Sequence, residues 1–477
     1  HPQALIYPLT VAGKSADAVR QEAAQAVMRR MSEHFPALVQ QAVVVSDELV
    51  RVSVLWYEQW AEGLDEASRL LREEGDTDGM MATLERLHAL VRGGGQTLSD
   101  TAFLQAAGEL IEQAETHIRT WAASGSDEAL NAAWGHYLQI FRITYKLKET
   151  TRAIELQNAA PRLLECVDLE LAIPGQYRPG HPVVAIKNVH GSMPVFSSKQ
   201  KPRRCTMTGS DGKEYTYLLK GHEDLRQDER VMQLFGLVNS FLASDRDCAL
   251  LKLQIVRYAV MPLSPDSGLI EWVPDCDTLH ALIKGYREPR NIPIELEHRI
   301  MTGLCPDIEE VPLLAKVEAF GEVLKETPAD DINQVLWHQS NSAEDWLDRR
   351  QRFTRSTGVM SMVGYVLGLG DRHPSNVMVQ KYTGRIVHID FGDCFEVAML
   401  REKFPEKVPF RLTRMLVNAM EVCGVEGTFR YTCEKTVEVL RDNKGSIMAM
   451  LDAFVHDPLI NWRLLSRGNS ASVAVRG

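Results

Sequence analysis

Two short polar stretches in the second half of the chain decide how the sequence is interpreted. Gly370–Asn376 reads GDRHPSN, and Ile386–Asp393 reads IVHIDFGD. Asp371 and Asn376 are five residues apart, and Asp390 follows an apolar, strand-like run. Carboxylate and amide oxygens are the ligands that hard divalent cations prefer, and a carboxylate can also orient a hydroxyl group.

This pattern is typical of phosphoryl transfer from ATP, which needs a carboxylate beside the attacking hydroxyl, oxygen ligands for Mg²⁺ and a cation on the phosphates. The Asp-to-Asn spacing equals that of the kinase loop H-R-D-x-x-x-x-N, and Asp390 begins a D-F-G. The order here is D-R-H, which moves His373 to a position where it can lie near the transferring phosphoryl group. The phosphate cation is expected on a strand, and Lys220 ends the β-like run Tyr215–Leu219.

The carboxylate partner of Lys220 is expected on the next helix, predicted from about Gln227 to Ala243. Four acidic residues compete for that role, namely Glu223, Asp224, Asp228 and Glu229. A Gly-rich phosphate loop is absent between Asp168 and Lys220. In its place Ser197–Arg203 (SSKQKPR) offers hydroxyls, backbone N–H groups and positive charge.

Composition and charge exclude several classes of protein. The chain has 477 residues with 53 basic and 64 acidic side chains, hence a net charge of −11, and it is 45% hydrophobic. These values are typical of a soluble globular protein and exclude wholesale disorder and a collagen-like chain. The acidic balance argues against a broad nucleic-acid surface, and no apolar run reaches the roughly 18 residues of a transmembrane segment. The eight cysteines form no CxxC pair, which favours a reducing compartment.

Hydrophobic periodicity predicts a helical half followed by a mixed one. A helix is expected from Ala16 to His34, and four more between Ser46 and about Lys148 form an antiparallel bundle, the first capped by Ser46-Asp47. From Asp168 short β-like runs predict a small antiparallel sheet, with strands that include 195–196 and 255–261. Later helices are expected at 277–285, 295–302, 313–325, 343–370, 410–422 and 433–455. A small sheet followed by a helical part predicts two lobes with a ligand cleft.

Three strings carry a resemblance to a known family. Lys220–Arg230 (KGHEDLRQDER), Gly368–Asn376 (GLGDRHPSN) and His388–Asp393 (HIDFGD) resemble the phosphatidylinositol-kinase-related protein kinases. Within them the chain is similar to the target-of-rapamycin (TOR) kinases through HPQALIYPLTVA, GLIEWVPDCDTLHALI and REKFPEKVPFRLTRML. The resemblance extends to about Arg463. It implies an α+β, bilobed protein-kinase-like fold, with a small antiparallel sheet lobe plus a mainly helical lobe, preceded by a four-helix bundle.

The resemblance also implies a domain organisation. The expected parts are the end of a truncated helical (FAT-type) region at 1–45, a four-helix bundle like the FKBP–rapamycin-binding domain at 46–150, a kinase N-lobe at 168–274, a C-lobe at 275–465 and a disordered tail at 466–477. An insertion at about 287–343 docks a small β-propeller subunit in the relatives, although its charged sequence also suits an unpartnered surface loop. The short C-terminal segment expected of the family is not visible in the sequence.

The roles of the site residues follow from the same resemblance. Asp371 is implied to orient the substrate hydroxyl or accept its proton, and His373 to stabilise charge in the transition state. Asn376 and Asp390 are the implied metal ligands. Lys220 is implied to hold the nucleotide phosphates. The residues implied to support it or to line the nucleotide site are Asp228, Glu223, Ser198, Tyr258, Trp272, Val273 (through its backbone), Met378 and Ile389.

The bundle departs from the family at its drug site. Three residues match positions that line this site, namely Ser68, Trp134 and Phe141, whereas Leu71, Arg72 and Leu138 stand where the family commonly has aromatic residues. Because Arg72 would put a charge into an apolar pocket unless its guanidinium reaches solvent, we expect weak or absent FKBP–rapamycin binding. Glu271, at a hinge position that is usually small, is a second departure.

The function implied is that of a serine/threonine protein kinase of TOR-like growth and nutrient signalling, using ATP with Mg²⁺ or Mn²⁺. Protein substrates, scaffold subunits of a TOR-like complex and a cytoplasmic location with recruitment to endomembranes are expected, without nucleic acid or a transmembrane segment. A phosphoinositide lipid kinase is the alternative, but Asp393–Leu400 carries no Lys or Arg for inositol phosphates. A catalytically silent scaffold is a third possibility.

Overall fold

The structure, a computed structural model, describes residues 1–15, 17–198, 200–308, 310–395, 397–401, 405–420 and 422–456. The predicted tail at 466–477 lies outside these residues. The chain divides into two compact units. The first comprises His1–Arg226 with Ala259–Trp272, and the second comprises Gln227–Tyr258 with Val273–Gly477.

Helices fill the N-terminal part of the first unit. They are α1 (Pro2–Ala12), α2 (Ala18–His34), α3 (Pro36–Ser53), α4 (Trp56–Arg69), α5 (Thr77–Arg92), α6 (Leu98–Ser124), α7 (Asp127–Thr150), α8 (Leu156–Ala159) and α9 (Pro161–Leu164), with a π-helical turn at Leu70–Glu74. Helices α4 to α7 correspond to the four predicted bundle helices. Buried Trp60 and Tyr137 lie in their core, and the Tyr137 hydroxyl is 2.9 Å from His88 Nε2.

The prediction that Ser46-Asp47 caps a helix is wrong. Ser46 is buried in the middle of α3, which begins at Pro36, a residue whose missing N–H costs nothing in a first turn. The apolar stripe continues through Leu49 and Val52, so no boundary signal exists near Ser46. The break comes at Val54, which is extended, and α4 is then capped by Glu58, whose Oε2 accepts from the Leu55 N–H at 2.8 Å.

The sheet of the first unit is antiparallel and has the order β2-β4-β5-β7-β6. Its strands are β2 (Ile186–Val189), β4 (Arg203–Gly209), β5 (Glu214–Gly221), β6 (Val260–Ser264) and β7 (Ser267–Glu271), while β1 (Ala153–Glu155) pairs separately with β3 (Ser192–Pro194). Two predicted strands differ from the structure. Residues 195–196 contribute only an isolated bridge at Val195, and the predicted strand at 255–261 begins only at Val260.

The second unit is mainly helical. Its helices are α10 (Arg226–Ser244, whose first residue belongs to the first unit), α11 (Arg246–Leu250), α12 (Leu279–Arg287), α13 (Leu296–Leu304), α14 (Leu313–Glu326), α15 (Asp331–His338), α16 (Ala343–Leu367), α17 (Arg414–Asn418), α18 (Arg430–Asp442) and α19 (Lys444–Val455). Three short strands, β8 (Cys276–Thr278), β9 (Val377–Gln380) and β10 (Ile386–His388), form an antiparallel sheet in the order β10-β9-β8. None of the described helices is long and apolar enough to cross a membrane.

Three helix predictions in this unit need correction. The helix expected at 343–370 ends at Leu367, because Gly368 adopts a left-handed conformation (φ +58°) that terminates a helix. The helix expected at 410–422 is confined to Arg414–Asn418. The helix expected at 433–455 is interrupted at Asn443, whose conformation (φ −103°, ψ +19°) departs from the helical one. Helix α15 has no counterpart in the prediction.

Candidate active site

The loop between α16 and β9 brings together Asp371, His373 and Asn376. The Asn376 side-chain Nδ2 donates to the Asp371 carbonyl at 3.0 Å and to Asp371 Oδ2 at 3.2 Å. His373 Nε2 is 3.9 Å from the same Oδ2. Asp371 has φ +59°, a left-handed conformation that L-residues adopt at a cost of about 1–3 kcal/mol. A short turn therefore holds the carboxylate, the imidazole and the amide beside one another.

Asp390 lies on a second turn, directly after β10. It also has a left-handed backbone (φ +63°), and its Oδ1 accepts from the Gly392 N–H at 3.3 Å. The Ile389 N–H donates to the Asn376 carbonyl at 3.1 Å, so this turn is joined to the loop that carries Asp371.

The oxygen donors of these two turns fit a hard divalent cation. Asn376 uses its Nδ2 for Asp371, and within the described residues its amide oxygen and Asp390 Oδ2 accept no hydrogen bond, so both can bind a cation. No group of three or more His, Cys, Asp or Glu side chains suited to a metal exists in the part of the chain that the structure describes. A cation held here would therefore take an amide and a carboxylate from the protein, and its other ligands from elsewhere.

Arg372, the central residue of D-R-H, joins the two turns. Its guanidinium donates to the carbonyls of Gly370 at 2.8 Å and Ile389 at 2.9 Å, and also to that of Asp390. Arg372 is buried, and this burial lowers its pKa from the usual value. No role was predicted for Arg372 beyond the motif, although its place between Asp371 and His373 was an available signal.

Arg401 and Glu406 belong to the same site, and the sequence-based reasoning missed both. The Asp371 N–H donates to Glu406 Oε2 at 3.0 Å, and the Arg401 guanidinium is 3.5 Å from Asp371 Oδ1. Arg401 also contacts Glu406 Oε1 at 3.1 Å and pairs with Asp393. The alternating charges of 401–407 were the only sign that this segment belongs to the site. They do not reveal that Arg401 contacts Asp371, 30 residues earlier in the chain.

Asp228 supports the D-F-G turn. This buried carboxylate accepts from the Phe391 N–H at 3.2 Å. The neighbouring Gln227 donates from Nε2 to the carbonyls of Phe391 at 2.7 Å and Gly392 at 3.2 Å. The first turn of α10 therefore fixes the backbone around Asp390, a role that the sequence did not indicate for Asp228.

Lys220 lies on β5 in the first unit, one residue before the end of that strand. Its Nζ is 2.9 Å from Glu223 Oε2, and both side chains are mostly buried. Glu223 is positioned by its own N–H, which donates to the Asp266 carbonyl at 3.1 Å. Of the acidic residues that the sequence offered, Glu223 is thus an ion-pair partner of Lys220.

The other predicted residues of the first unit lie near the same sheet. Trp272 stacks on Phe196 with ring centroids 5.8 Å apart and an interplanar angle of 8°. Glu271 is half-buried, and its Oε2 accepts from the Ala259 N–H at 2.7 Å and its Oε1 from Gln176 Nε2 at 3.2 Å. Ser198 is exposed and lies in a turn, where its carbonyl accepts from the Lys201 N–H. Ser198 also borders a cavity of about 580 Å³.

The remaining predicted residues belong to the second unit. Tyr258 is buried, its hydroxyl donates to the His388 carbonyl at 3.3 Å, and burial raises its pKa well above the usual value. Met378 lies on β9 opposite Val387, and Ile389 follows β10. Val273 begins the longer of the two chain segments that form this unit, Val273–Gly477.

The bundle contains a cavity of about 370 Å³ that brings together Ser68, Trp134 and Phe141. Arg72 and Leu138 border the same cavity, and both are exposed. Leu71 instead packs, partly buried, against the core. The guanidinium of Arg72 thus lies at the rim of the cavity, where it can reach solvent.

Comparisons with known proteins identify the family. Residues 214–464 match the family described as phosphatidylinositol 3- and 4-kinase, and residues 48–145 match the FKBP12-rapamycin binding domain. The chain belongs to the phosphatidylinositol 3- and 4-kinase family. Within this family, the resemblance to the TOR kinases is confirmed.

Several curated relatives match nearly the whole chain. Serine/threonine-protein kinase TOR of Oryza sativa is 55% identical over 98% of the chain, and serine/threonine-protein kinase mTor of Drosophila melanogaster is 53% identical over 100%. Serine/threonine-protein kinase SMG1 of Danio rerio is only 30% identical over 93% of the chain. The chain spans 19% of the length of the rice and fly relatives and 14% of SMG1.

A solved structure, "FAT and kinase domain of CtTel1", matches 97% of the chain and 30% of its own length with a TM-score of 0.57 and 24% identity. At this identity the likeness shows the fold alone. The predicted fold class, an α+β bilobed kinase-like fold with a preceding helical bundle, is confirmed.

Proposed function

We propose that this chain transfers the γ-phosphoryl group of ATP to serine and threonine hydroxyls of proteins, as a non-specific serine/threonine protein kinase of TOR-like growth signalling. The observation that carries the proposal is the hydrogen-bonded pair Asp371–Asn376 with His373 beside it. Phosphoryl transfer depends chiefly on positioning and on charge stabilisation, and this turn supplies a fixed carboxylate for both. The names of the rice and fly relatives support a protein substrate.

Each residue has a distinct role in this proposal. Asp371 orients the substrate hydroxyl and accepts its proton, while His373, half exposed beside it, stabilises charge on the transferring group. Asn376 and Asp390 would hold Mg²⁺, or Mn²⁺ in its place, which neutralises phosphate charge when bound. Lys220, oriented by Glu223, would bind the nucleotide phosphates, and Tyr258, Trp272, Val273, Met378 and Ile389 would line the nucleotide site with Ser198.

A lipid substrate is less compatible with the residues after D-F-G. Recognition of an inositol phosphate needs basic side chains that are available for it. Among the described residues 391–401 the single basic side chain is Arg401, and it already contacts Asp371, Asp393 and Glu406. Arg401 is therefore neutralised within the site.

Transfer of labelled γ-phosphate tests the proposal. The chain is offered a serine/threonine peptide mixture and phosphatidylinositol vesicles in parallel, with Mg·ATP or Mn·ATP. Asp371→Asn keeps the size of the side chain and removes its charge, and it should lower transfer at least about 1,000-fold while nucleotide binding persists. Asp452→Asn, at an exposed position of α19, is the matched control. Label on lipid alone would overturn the protein-kinase proposal, and equal transfer by Asp371→Asn would overturn the role of Asp371.

We also propose that the insertion binds a small β-propeller subunit, alongside the scaffold subunits of a TOR-like complex. Helix α14 supports this, because one of its faces exposes Leu313 (76%), Val317 (58%), Phe320 (53%) and Leu324 (42%). An apolar stripe of this kind is costly in water and marks an interaction surface. Val317→Asp should abolish co-purification with a co-expressed β-propeller subunit, whereas Lys325→Asp, at an exposed position of the same helix, should not.

The FKBP–rapamycin complex should bind weakly or not at all. The cavity at Ser68, Trp134 and Phe141 supports binding, but Arg72 at its rim loses hydration when an apolar ligand covers it. Arg72→Phe should therefore increase the affinity for FKBP–rapamycin by at least about tenfold, as titration calorimetry would show. Tight binding by the unaltered chain would contradict this proposal.

A further inference from the structure

The helical bundle contacts the two segments that carry the proposed phosphate-binding residues. Acidic side chains of α4 and α7 pair with basic side chains of these segments, and the pairs are Glu58–Arg203, Glu149–Lys201 and Glu62–His222. Lys201 lies three residues after Ser198, and His222 lies between Lys220 and Glu223. All of these residues belong to the first unit. The proposed phosphoryl transfer gives none of the three acidic residues a role.

Glu62 makes two charged contacts at once. Its Oε1 accepts from Lys148 Nζ at 2.8 Å, and its Oε2 is 2.9 Å from His222 Nε2. Burial raises the pKa of Glu62, but the contacts with His222 and Lys148 outweigh burial and lower that pKa to about 2. Glu62 and Lys148 also border the cavity of about 580 Å³ that Ser198 borders. The Glu62 carboxylate is therefore ionised at neutral pH and fixed between α7 and the segment that follows β5.

His222 lies in the turn that follows the predicted phosphate-binding lysine. It has a left-handed backbone (φ +58°), which is costly for an L-residue and persists where surrounding contacts hold it. Lys220 and Glu223 flank this turn and form their ion pair across it. The neighbouring Gly221 is packed so closely that an added Cβ would lie 2.6 Å from the Ser53 carbonyl oxygen. The turn is thus held by α3 through its backbone and by the bundle through the imidazole.

From these contacts we propose that Glu62 is a positioning residue for Lys220, an inference that rests on the proposed function of that lysine. The carboxylate of Glu62 fixes the imidazole of His222, and the imidazole fixes the turn that sets the direction of Lys220. A side chain that is held in place before its ligand arrives loses less entropy on binding. Loss of the Glu62 contact should therefore weaken the binding of nucleotide phosphates and leave the transfer step intact.

Calorimetric titration of the 477-residue chain with Mg·AMP-PNP tests this inference. Glu62→Gln keeps the size of the side chain and removes its charge, and it should weaken nucleotide binding about threefold, the size of effect that a half-exposed ion pair produces. In steady-state transfer the KM for ATP should rise by the same factor, with kcat unchanged. His222→Gln retains an N–H donor and should keep most of the affinity, whereas His222→Ala should not. Glu66→Gln, which loses an ion pair with Arg69 on the same helix, is the matched control and should change nothing.

A second comparison separates positioning from a general loss of stability. In the Lys220→Met background Glu62→Gln should have no further effect on nucleotide affinity, because residues that act through one contact are not additive. Affinity that is equal in Glu62→Gln and Glu66→Gln would overturn the inference while the proposed function stands, and so would a loss that persists in full with Lys220→Met. Unchanged nucleotide binding by Lys220→Met alone would contradict the role of Lys220, and the inference with it.

Discussion

The half-buried imidazole of His388 should make the second unit sensitive to acid. His388 ends β10, immediately before the turn that carries Asp390, and its buried Nδ1 has no hydrogen-bond partner among the described residues. Burial, and then the positive charge of Arg372, lower its pKa from the usual 6.5 to about 3. The folded protein therefore resists protonation of His388, whereas the unfolded chain accepts the proton near pH 6.5.

The sign and size of the effect follow from proton linkage. Because the folded pKa is lowered, the contribution of His388 to stability is fully present above pH 6.5 and is lost as the pH falls from 6.5 towards 3. Each pH unit in this window costs about 1.4 kcal/mol, so the loss between pH 7.5 and pH 5.0 is about 2 kcal/mol. A variant without the imidazole lacks this pH-dependent loss of stability.

Urea unfolding at pH 7.5 and pH 5.0 measures the difference. His388→Gln should lose about 2 kcal/mol less between the two pH values than the unaltered chain does. Taking the difference between pH values cancels any packing change that the substitution causes. His298→Gln, on the exposed side of α13, is the matched control and should follow the unaltered chain. Equal pH dependence of the His388 variant and the unaltered chain would refute the reasoning.

Three further substitutions test other contacts. Arg287→Met should lower the free energy of unfolding by about 3–5 kcal/mol, because buried Arg287 pairs with Asp331 at 2.6 Å and removing one partner leaves a buried charge. Gly221→Ala should destabilise by about 1–3 kcal/mol, since its Cβ would lie 2.4 Å from Val54 Cγ2. Arg401→Gln should lower kcat about tenfold without changing nucleotide affinity, because a charged contact that positions Asp371 is lost.

Controls separate these effects from a general loss of stability. Arg299→Met removes an exposed arginine and should be neutral in urea unfolding. Gly135→Ala, in open space on α7, should stabilise slightly because alanine favours a helix. Lys407→Gln removes an exposed positive charge that lies close to Arg401 in the sequence, and it should leave kcat unchanged. A variant that matches its control would contradict the corresponding prediction.

Helices can be predicted from the sequence where capping residues mark their ends. Thr97 accepts from the Asp100 N–H and begins α6, and Gly125 ends it in a left-handed conformation, so both ends carry a signal that is local in the sequence. The α3–α4 break carries no such signal, because it depends on Glu58, which caps α4 and also pairs with Arg203, 145 residues later. Short-range patterns do not encode a partner at that separation.

The difference between local and long-range contacts also explains which features of the candidate site were predicted. The five-residue spacing of Asp371 and Asn376 is visible in the sequence, and in the structure the two side chains form a local hydrogen bond. Contacts between distant segments were not accessible, and these include Glu406 on the Asp371 N–H and Asp228 on that of Phe391. A single sequence identifies charged residues but does not show which of them meet.

Those distant contacts also explain how two strained turns persist. Asp371 and Asp390 both hold left-handed backbones, which together cost about 2–6 kcal/mol relative to relaxed turns. Arg372 donates to carbonyls on both turns, and the carboxylate of Glu406 accepts from the first. Hydrogen bonds to charged groups contribute about 1.5–3 kcal/mol each, so three of them are comparable in size to the strain. The carboxylates are therefore held in place before any substrate binds, and the network that holds them lies outside the residues expected to react.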